Sequence, residues 1–130
     1  MTTDMVIEFE NDEPGALAHM ATALSDAGIN VAAATYLGAG QKAELHILVP
    51  HPEAVHHVLA VVHTVSVTRE REVVAVQCDD HPGELAELAG KIAAAGVNID
   101  LVYVATGSRL VFGSDDIEGL RAALAGAHTM

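Results

Sequence analysis

The chain is poor in the residues on which several classes of protein depend. Its 130 residues include one cysteine, no tryptophan and only 3% aromatic residues. A single cysteine, Cys78, excludes an internal disulfide and a metal site built on paired thiolates. Basic residues are also scarce, with 6 Lys and Arg against 18 Asp and Glu and a formal net charge of -12. Because nucleic acids and acidic membrane surfaces are bound by clustered cations, this balance argues against both as partners.

Long hydrophobic runs are missing as well. The aliphatic run Val58–Val62 near the middle of the chain is far shorter than the roughly 20 residues that a membrane helix needs. No basic segment followed by an apolar stretch begins the sequence, so we predict no signal peptide and a cytoplasmic protein. Hydrophobic residues nevertheless make up 51% of the chain, which predicts a folded core in one domain or in two very small ones.

An internal repeat organises the sequence. Identical residues recur at an offset of 68, and further along the offset falls to 65, which pairs Leu45 with Leu110 and Leu59 with Leu124. The identical positions at the first offset are Asp12, Pro14, Gly15, Leu17, Ala18, Ala21, Ala27, Gly28 and Asn30, which recur as Asp80, Pro82, Gly83, Leu85, Ala86, Ala89, Ala95, Gly96 and Asn98. This pattern indicates a tandem duplication with a shortened hairpin in the second copy, and it predicts domains at residues 1–69 and 70–130.

In the first copy, the order of the patterns predicts a βαββαβ unit. Asp12 is predicted to cap the first helix, with Pro14 in its first turn, and Gly28 to end it in a left-handed conformation. Pro52 is predicted to open the second helix. The apolar face of that helix comprises Val55, Val58, Leu59 and Val62. The predicted strands are Met5–Glu10, Val31–Leu37, Ala43–Val49 and Val65–Arg69.

The second copy repeats the order of elements but ends early. Its predicted strands are Val73–Cys78, Val97–Ala105 and Arg109–Gly113, and its predicted helices are Asp80–Gly96 and Asp116–Ala125. The residues after Ala125 are too few and too polar to predict a last strand. The expected fold class is therefore α+β, with tandem ferredoxin-like βαββαβ units, antiparallel sheets with helices on one face, and a second unit that lacks its last strand.

The repeated motif resembles the ACT domain family. The motif is Asp-x-Pro-Gly-x-Leu at the start of a helix that follows an apolar strand, with Ala-Gly-(Ile or Val)-Asn-(Val or Ile) after the helix. In this sequence it reads Asp12-Glu13-Pro14-Gly15-Ala16-Leu17 with Ala27-Gly28-Ile29-Asn30-Val31, and Asp80-His81-Pro82-Gly83-Glu84-Leu85 with Ala95-Gly96-Val97-Asn98-Ile99. The resemblance implies a free-standing pair of regulatory modules that bind an amino acid at interfaces between ACT units. It further implies a metabolic enzyme or regulator controlled in trans. The open sheet edge of the second copy and the apolar content predict self-association as a homodimer, and no cofactor is expected.

The residues of the motif also suit a zwitterionic ligand. Helix N-termini attract a carboxylate, and the glycines leave that approach open. Acidic side chains and Asn11 are candidates to receive an ammonium group, while the resemblance implies a second wall from the strand after the first helix of the neighbouring domain. The candidate ligand-binding residues are Asn11, Asp12, Glu13, Pro14, Gly15, Ala16, Leu17, Asn30, Val31, Asp79, Asp80, His81, Pro82, Gly83, Glu84, Leu85, Asn98 and Ile99. Purely structural roles, as helix caps for the aspartates and as turn residues for the asparagines, remain open.

Two rival interpretations come from other residues. The histidines around the predicted second helix, His51, His56, His57 and His63, are the basis of an alternative function as a metal-binding sensor. They include no i, i+4 pair and do not recur in the second copy, so a solvated helix face explains them better. Cys78, which matches Glu10 at the offset of 68, precedes His81 by three residues, but no orienting group accompanies this pair. We therefore expect a non-enzyme, and a regulatory subunit acting by protein contact alone is the remaining alternative.

Overall fold

The computed structural model describes residues 2–11, 13–40, 42–79 and 81–127. Apart from the first two residues, the chain divides into two compact units, Thr3–Arg71 and Glu72–Met130, called unit 1 and unit 2 below. The elements of unit 1 are β1 (Thr2–Phe9), α1 (Ala16–Asp26), β2 (Ala33–Ala39), β3 (Lys42–Val49), α2 (Pro52–Leu59) and the first part of β4 (Val65–Gln77). Unit 2 contains the rest of β4, α3 (Glu84–Ala94), β5 (Leu101–Ala105), β6 (Arg109–Gly113) and α4 (Ile117–Ala123).

Each unit has the strand order of a ferredoxin-like sheet. In unit 1 the order is β2-β3-β1-β4, and in unit 2 it is β4-β6-β5. The pairs β1–β3, β2–β3, β4–β6 and β5–β6 are antiparallel. In both units the first strand therefore lies beside the third rather than beside the second, as the α+β prediction requires.

The two helices of each unit cover one face of its sheet. In unit 1, Met20 and Leu24 of α1 and Val55 of α2 pack with Ile7 and other core-facing residues of the strands. In unit 2 the corresponding core contains Val74, Val76, Leu88, Ile92, Phe112, Leu120 and Leu124. Burial of these helix stripes confirms the predicted arrangement of helices on one face of an antiparallel sheet.

The first helix of each unit ends in the way that its glycine predicts. Gly28 has φ 74° and Gly96 has φ 76°, a left-handed conformation that glycine adopts without strain. The N–H of Ile29 donates to the carbonyl of Leu24 at 3.0 Å, and that of Val97 donates to Ile92 at 3.2 Å. This is the Schellman arrangement, and it turns the chain into the following strand in both copies.

Several predicted boundaries are wrong, and the strand predicted at Val97–Ala105 begins only at Leu101. The separate strands predicted at Val65–Arg69 and Val73–Cys78 form one strand of 13 residues, β4, because no turn residue interrupts the alternating pattern between them. Helices α1 and α3 begin at Ala16 and Glu84, with Gly15 and Gly83 as their N-cap residues. The N-caps are thus not the predicted aspartates, since Pro and Gly of the motif form a turn before the helix; Asp12 and Asp80 themselves lie outside the described residues.

The sequence predicts no last strand after the second helix of unit 2. Among the described residues, which end at Ala127, no strand follows α4. Helix α4 begins at the predicted place, where the Asp116 carboxylate accepts a hydrogen bond from the N–H of Gly119 at 2.9 Å. No helix in the described part of the chain is long and apolar enough to cross a membrane.

Candidate functional site

The Pro-Gly dipeptide of each motif forms a tight turn at the start of a helix. In unit 1 the N–H of Ala16 donates to the carbonyl of Glu13 at 3.2 Å, and Gly15 has φ 92° and ψ -12°. In unit 2 Gly83 has φ 94° and ψ -10°. These glycine angles are those of the third residue of a type II turn, where proline commonly precedes glycine. The turn explains why these two residue types occur together in both copies.

The turn leaves the start of each helix open to a ligand. Gly15 and Gly83 are the N-cap residues, and as glycines they have no side chain of their own that could cap the helix by a hydrogen bond. The first N–H groups of an α-helix have no partner within the helix and lie at the positive end of its dipole. A carboxylate that approaches either turn would be attracted by both features.

A cavity of about 380 Å³ lies beside the turn of unit 2 and is called the unit 2 cavity below. It is formed by the end of β4, the motif loop, the start of α3 and the β5–β6 hairpin. Its lining residues are Cys78, Asp79, His81, Glu84, Leu85, Val104, Ala105, Ser108, Arg109 and Leu110. The volume lies in the range of small-molecule sites, and the lining combines apolar side chains with charges of both signs.

An ion pair lies at the loop side of the unit 2 cavity. The Nε2 atom of His81 is 3.0 Å from an oxygen of the Glu84 carboxylate, and its Nδ1 atom is 2.9 Å from the carbonyl oxygen of Pro82. The Pro82 carbonyl is the largest influence that raises the pKa of His81, and the Glu84 carboxylate also raises it. The imidazolium form, which donates from both nitrogens, therefore fits this position.

Arg109, the arginine of the unit 2 cavity, is held in place by the hairpin to which it belongs. The Nε of Arg109 donates to the carbonyl of Thr106 at 2.8 Å, and Nη2 donates to the Thr106 hydroxyl at 3.4 Å. A guanidinium has further N–H donors beyond these two, and its fork matches the geometry of a carboxylate. Arg109 thus lines the cavity with an oriented guanidinium that has N–H donors beyond those bonded to Thr106.

Cys78 forms the floor of the cavity as a protonated thiol. Its backbone N–H donates to the carbonyl of Ser108 at 2.9 Å, which joins the end of β4 to the hairpin. Burial raises the pKa of the Cys78 thiol, and the negative charge of Glu84 raises it further. Since the thiolate is the nucleophilic form, this environment disfavours the pairing of Cys78 with His81 for covalent chemistry.

The cavity beside the turn of unit 1 is smaller and differently lined. It measures about 270 Å³ and is called the unit 1 cavity. Its lining residues are Phe9, Asn11, Glu13, Gly15, Ala16, His19 and Thr64. None of these comes from the β2–β3 hairpin, so the two cavities share the end of the first strand, the loop and the start of the helix but not the hairpin.

The predicted site residues are distributed unequally around the two cavities. Asn11, Glu13, Gly15 and Ala16 line the first, and Asp79, His81, Glu84 and Leu85 line the second. Pro14, Leu17, Pro82 and Gly83 belong to the same loops and helix starts but are not among the lining residues. Asn30, Val31, Asn98 and Ile99 follow the helices, roughly 16 Å from the turns along a helix of this length. Their predicted contact with a ligand stays a prediction.

The structural equivalence of the first strands corrects the alignment of the copies. Phe9 lies opposite Ala43 in the β1–β3 pair, and Ile7 lies opposite Leu45. In unit 2, Val76 lies opposite Leu110. The offset within this strand is therefore 69, and Cys78 takes the place of Phe9 rather than of Glu10, as the offset of 68 suggested. The connection from this strand to the motif is one residue shorter in unit 2, so the offset returns to 68 at the motif.

This equivalence explains why the copies differ in open space. In unit 1 the rings of Phe9 and Tyr36 form an edge-to-face pair, with centroids 5.4 Å apart and planes at 87°. Tyr36 lies opposite Leu45 in the β2–β3 pair, and Val104 lies opposite Leu110 in the β5–β6 pair. Cys78 and Val104 thus replace the two aromatic residues, and the smaller side chains leave room for the unit 2 cavity.

Sequence reasoning missed the hairpin side of the unit 2 cavity. Arg109 and Leu110 are predicted from the sequence only as the start of a strand, and Ser108 lies between two predicted strands. In the structure β4 and β6 pair so that Gln77 lies opposite Arg109. The signal was present in the predicted fold, because the first and third strands of a ferredoxin-like unit are neighbours. The end of β4 and the start of β6 then had to meet beside the motif loop.

The histidines around α2 do not form a metal site in the described part of the chain. His56 instead lies 2.8 Å from the carboxylate of Glu70 through Nε2. No group of three or more His, Cys, Asp or Glu side chains among the described residues could hold a metal ion. The solvated helix face remains the better explanation of these histidines.

Several solved structures share this fold. Protein BT0572 from Bacteroides thetaiotaomicron is 22% identical, with a TM-score of 0.85 over 98% of this chain and 90% of that chain. The regulatory subunit of aspartate kinase from Thermus thermophilus is 16% identical, with a TM-score of 0.71 over 96% of this chain and 91% of that chain. The corresponding subunit from Thermus flavus is 17% identical, with a TM-score of 0.63 over 96% and 91% of the two chains.

The chain has the tandem ACT fold. No family model matches the sequence, and no curated protein matches it. Identities of 16–22% in the structures named above establish the tandem ACT fold alone, so the ligand and target of the chain must be argued from its own residues. Two of the matched structures are regulatory subunits by name, and the match to this chain covers 91% of the length of each.

Proposed function

We propose that the chain is a non-catalytic regulatory protein that binds an amino acid at its Asp-x-Pro-Gly loops and acts on a metabolic enzyme or regulator in trans. Its ACT domains would be residues 1–69 and 70–130, with ligand bound at interfaces between ACT units of a cytoplasmic homodimer. The likeness to regulatory subunits of aspartate kinase supports the regulatory part of this proposal. Ligand binding would act by favouring one packing of the units over another.

The observation that carries the proposal is the unit 2 cavity. A free amino acid presents a carboxylate and an ammonium group a few ångströms apart. The cavity offers Arg109 and the start of α3 to the first group, and Asp79 to the second. Groups of both signs around a volume of about 380 Å³ suit a small zwitterion better than a simple anion or cation.

A thermal-unfolding screen tests the proposal. The dialysed protein is heated with each of the twenty amino acids and with divalent metal ions, and circular dichroism reports the midpoint because the chain has no tryptophan. A ligand at about 100 times its Kd adds roughly 2.7 kcal/mol to the free energy of unfolding. We expect one class of amino acid to raise the midpoint by several degrees.

Glycine variants connect the shift to the loops. Gly83→Asp places bulk and negative charge at the start of α3 and should abolish the shift from ligand in unit 2, with Gly15→Asp as the matched change in unit 1. A shift from metal ions alone, or no shift from any amino acid, contradicts amino-acid binding. In the second case, co-purification with a biosynthetic enzyme would favour regulation by protein contact alone.

A further inference from the structure

We propose that, of the two copies of the motif, only that of unit 2 binds the amino acid and that this ligand has an apolar side chain. The inference rests on the proposed function and names which copy of the duplicated site binds and which ligand class it takes. It depends on the differences between the two copies at structurally equivalent positions. Three such differences favour unit 2, and they concern space, the sign of charge and the chemistry of the remaining lining.

The first difference is space. The region that the β5–β6 hairpin borders in unit 2 is occupied in unit 1 by the edge-to-face pair of Phe9 and Tyr36. Phe9 is 1% exposed and belongs to the core of its unit, so its ring is held in place by packing. Cys78 and Val104 leave this region open in unit 2. A ligand can therefore enter between the loop and the hairpin only in the second copy.

The second difference is the charge that meets the ligand carboxylate. Arg109 is the first residue of β6 and lies opposite Gln77. At the equivalent positions of unit 1, Glu44 lies opposite Glu8. The hairpin thus carries a cation beside the cavity in unit 2, whereas at the equivalent position in unit 1 it carries the acidic Glu44, which does not line the cavity of that unit. The unit 1 cavity itself contains Glu13 and no Lys or Arg in its lining.

The charged side chains of the unit 2 cavity favour a ligand whose own side chain is neutral. Glu84 is paired with His81 at 3.0 Å, so each of these charges has a partner before a ligand enters. Arg109 then remains for the carboxylate of the ligand, and Asp79 for its ammonium group. A second charge on the ligand would be left without a partner in this cavity, which costs desolvation energy.

Apart from Ser108, the rest of the lining is apolar and incompletely covered. Val104 is 70% exposed and Leu85 is 48% exposed, and Ala105, Leu110 and the protonated thiol of Cys78 complete this side. Exposed apolar side chains around a cavity favour a ligand that covers them. An aliphatic or thioether side chain directed toward Cys78 would do so without introducing a polar group.

Calorimetric titration with the full chain tests both parts of the inference. The probes are leucine, isoleucine, valine and methionine, with lysine, arginine, aspartate and glutamate as charged probes of similar length. We expect one apolar amino acid to bind per chain, and the charged probes to bind at least about tenfold more weakly. The D-enantiomer of the best ligand serves as a control for specific placement of the carboxylate and ammonium groups.

Variants of the cavity identify the copy that binds. Cys78→Phe restores the residue of unit 1 and should abolish binding, whereas Cys78→Ala preserves the space and should retain it. Arg109→Gln should weaken binding at least about tenfold by removing the charge-assisted contact. Arg121→Gln is its matched control, because Arg121 is a cation of unit 2 that pairs with Glu72 and Glu118 and does not line the cavity.

The outcomes separate this inference from the proposed function. One apolar ligand per chain, lost in Cys78→Phe or weakened in Arg109→Gln but not in Arg121→Gln, supports the inference. Preferred binding of a charged amino acid, two ligands per chain, or unchanged affinity in both Arg109→Gln and folded Cys78→Phe overturns it while amino-acid binding stands. Absence of binding by every amino acid overturns both.

Discussion

At the scale of single residues, protonation of His81 makes the stability of the structure around the unit 2 cavity depend on pH. The Pro82 carbonyl and the Glu84 carboxylate raise the pKa of His81 above its ordinary value of 6.5. A group whose pKa is raised on folding stabilises the fold fully below the pKa of the unfolded state, and loses that contribution as pH rises through the raised pKa. The ion pair therefore stabilises the protein on the acidic side of neutrality, by a small amount because His81 is exposed.

Comparison of unfolding midpoints with pH tests this prediction. We expect the wild-type protein to be more stable than His81→Gln below pH 6.5, and the difference to shrink as pH rises above neutrality. Glu84→Gln removes the partner and should remove most of the same pH-dependent difference. A difference between wild type and His81→Gln that grows with pH would contradict the assigned charge of His81.

The candidate site was predictable at this scale only where its residues belong to the repeated motif. Asp79, His81, Glu84 and Leu85 belong to the motif or directly precede it, and each lines the unit 2 cavity. Arg109 is distant in sequence, and its role depends on the pairing of β4 with β6. The sequence alignment pairs Cys78 with Glu10 instead of Phe9, because the residues of the motif do not reveal that the loop before it is one residue shorter in unit 2.

At the scale of elements, two glycines of α3 and its C-terminal turn should respond oppositely to alanine. Gly96 has φ 76°, so alanine there is strained and should cost about 1–2 kcal/mol of stability. Gly90 lies within α3, and nothing lies within 4 Å of an added Cβ. Gly90→Ala should therefore stabilise the helix by about 0.5–1 kcal/mol, because alanine has the higher helix propensity.

Chemical denaturation of both variants measures this contrast. Each variant changes one glycine of unit 2 to alanine, so the pair serves as its own control for composition and size. A midpoint that falls in Gly96→Ala and rises in Gly90→Ala, with unchanged slope, is the expected result. Stabilisation by Gly96→Ala would mean that the turn after α3 does not require the left-handed conformation.

Element types were predictable because their signals are local. Pro52 stands at the start of α2, and a glycine follows α1 and α3 in a left-handed conformation, as their sequence positions indicate. Boundaries failed where local signals compete. The Pro-Gly pair can begin a helix or form a turn before it, and the turn prevailed at Gly15 and Gly83. A stretch without turn residues between two predicted strands became the single strand β4.

At the scale of the whole molecule, duplication made the fold predictable and divergence made the site difficult. A repeated loop in a βαββα order is sufficient to predict a tandem ACT fold, because each copy supports the interpretation of the other. Which copy has the open cavity could not be predicted, because the answer depends on packing between residues that are distant in the sequence. Phe9 and Tyr36 fill one unit, and their smaller counterparts leave the other open.

The excess of negative charge should also affect the stability of the whole molecule. With 18 acidic and 6 basic residues, repulsion among surface carboxylates opposes the compact state. Raising sodium chloride from low concentration to about 0.5 M shortens the screening length to a few ångströms. We therefore expect the unfolding midpoint to rise with salt, and potassium chloride to have the same effect because screening depends on ionic strength.

Asp26 offers a variant that separates charge repulsion from other effects of salt. It is the last residue of α1, whose final turn has no basic residue, so its carboxylate faces the negative end of the helix dipole. Asp26→Lys should add about 0.3–1 kcal/mol at low salt and should reduce the gain that salt produces. If the midpoint instead falls as salt is added, surface ion pairs such as Lys42–Glu8, at 3.1 Å, outweigh the repulsion, and the net charge does not limit stability.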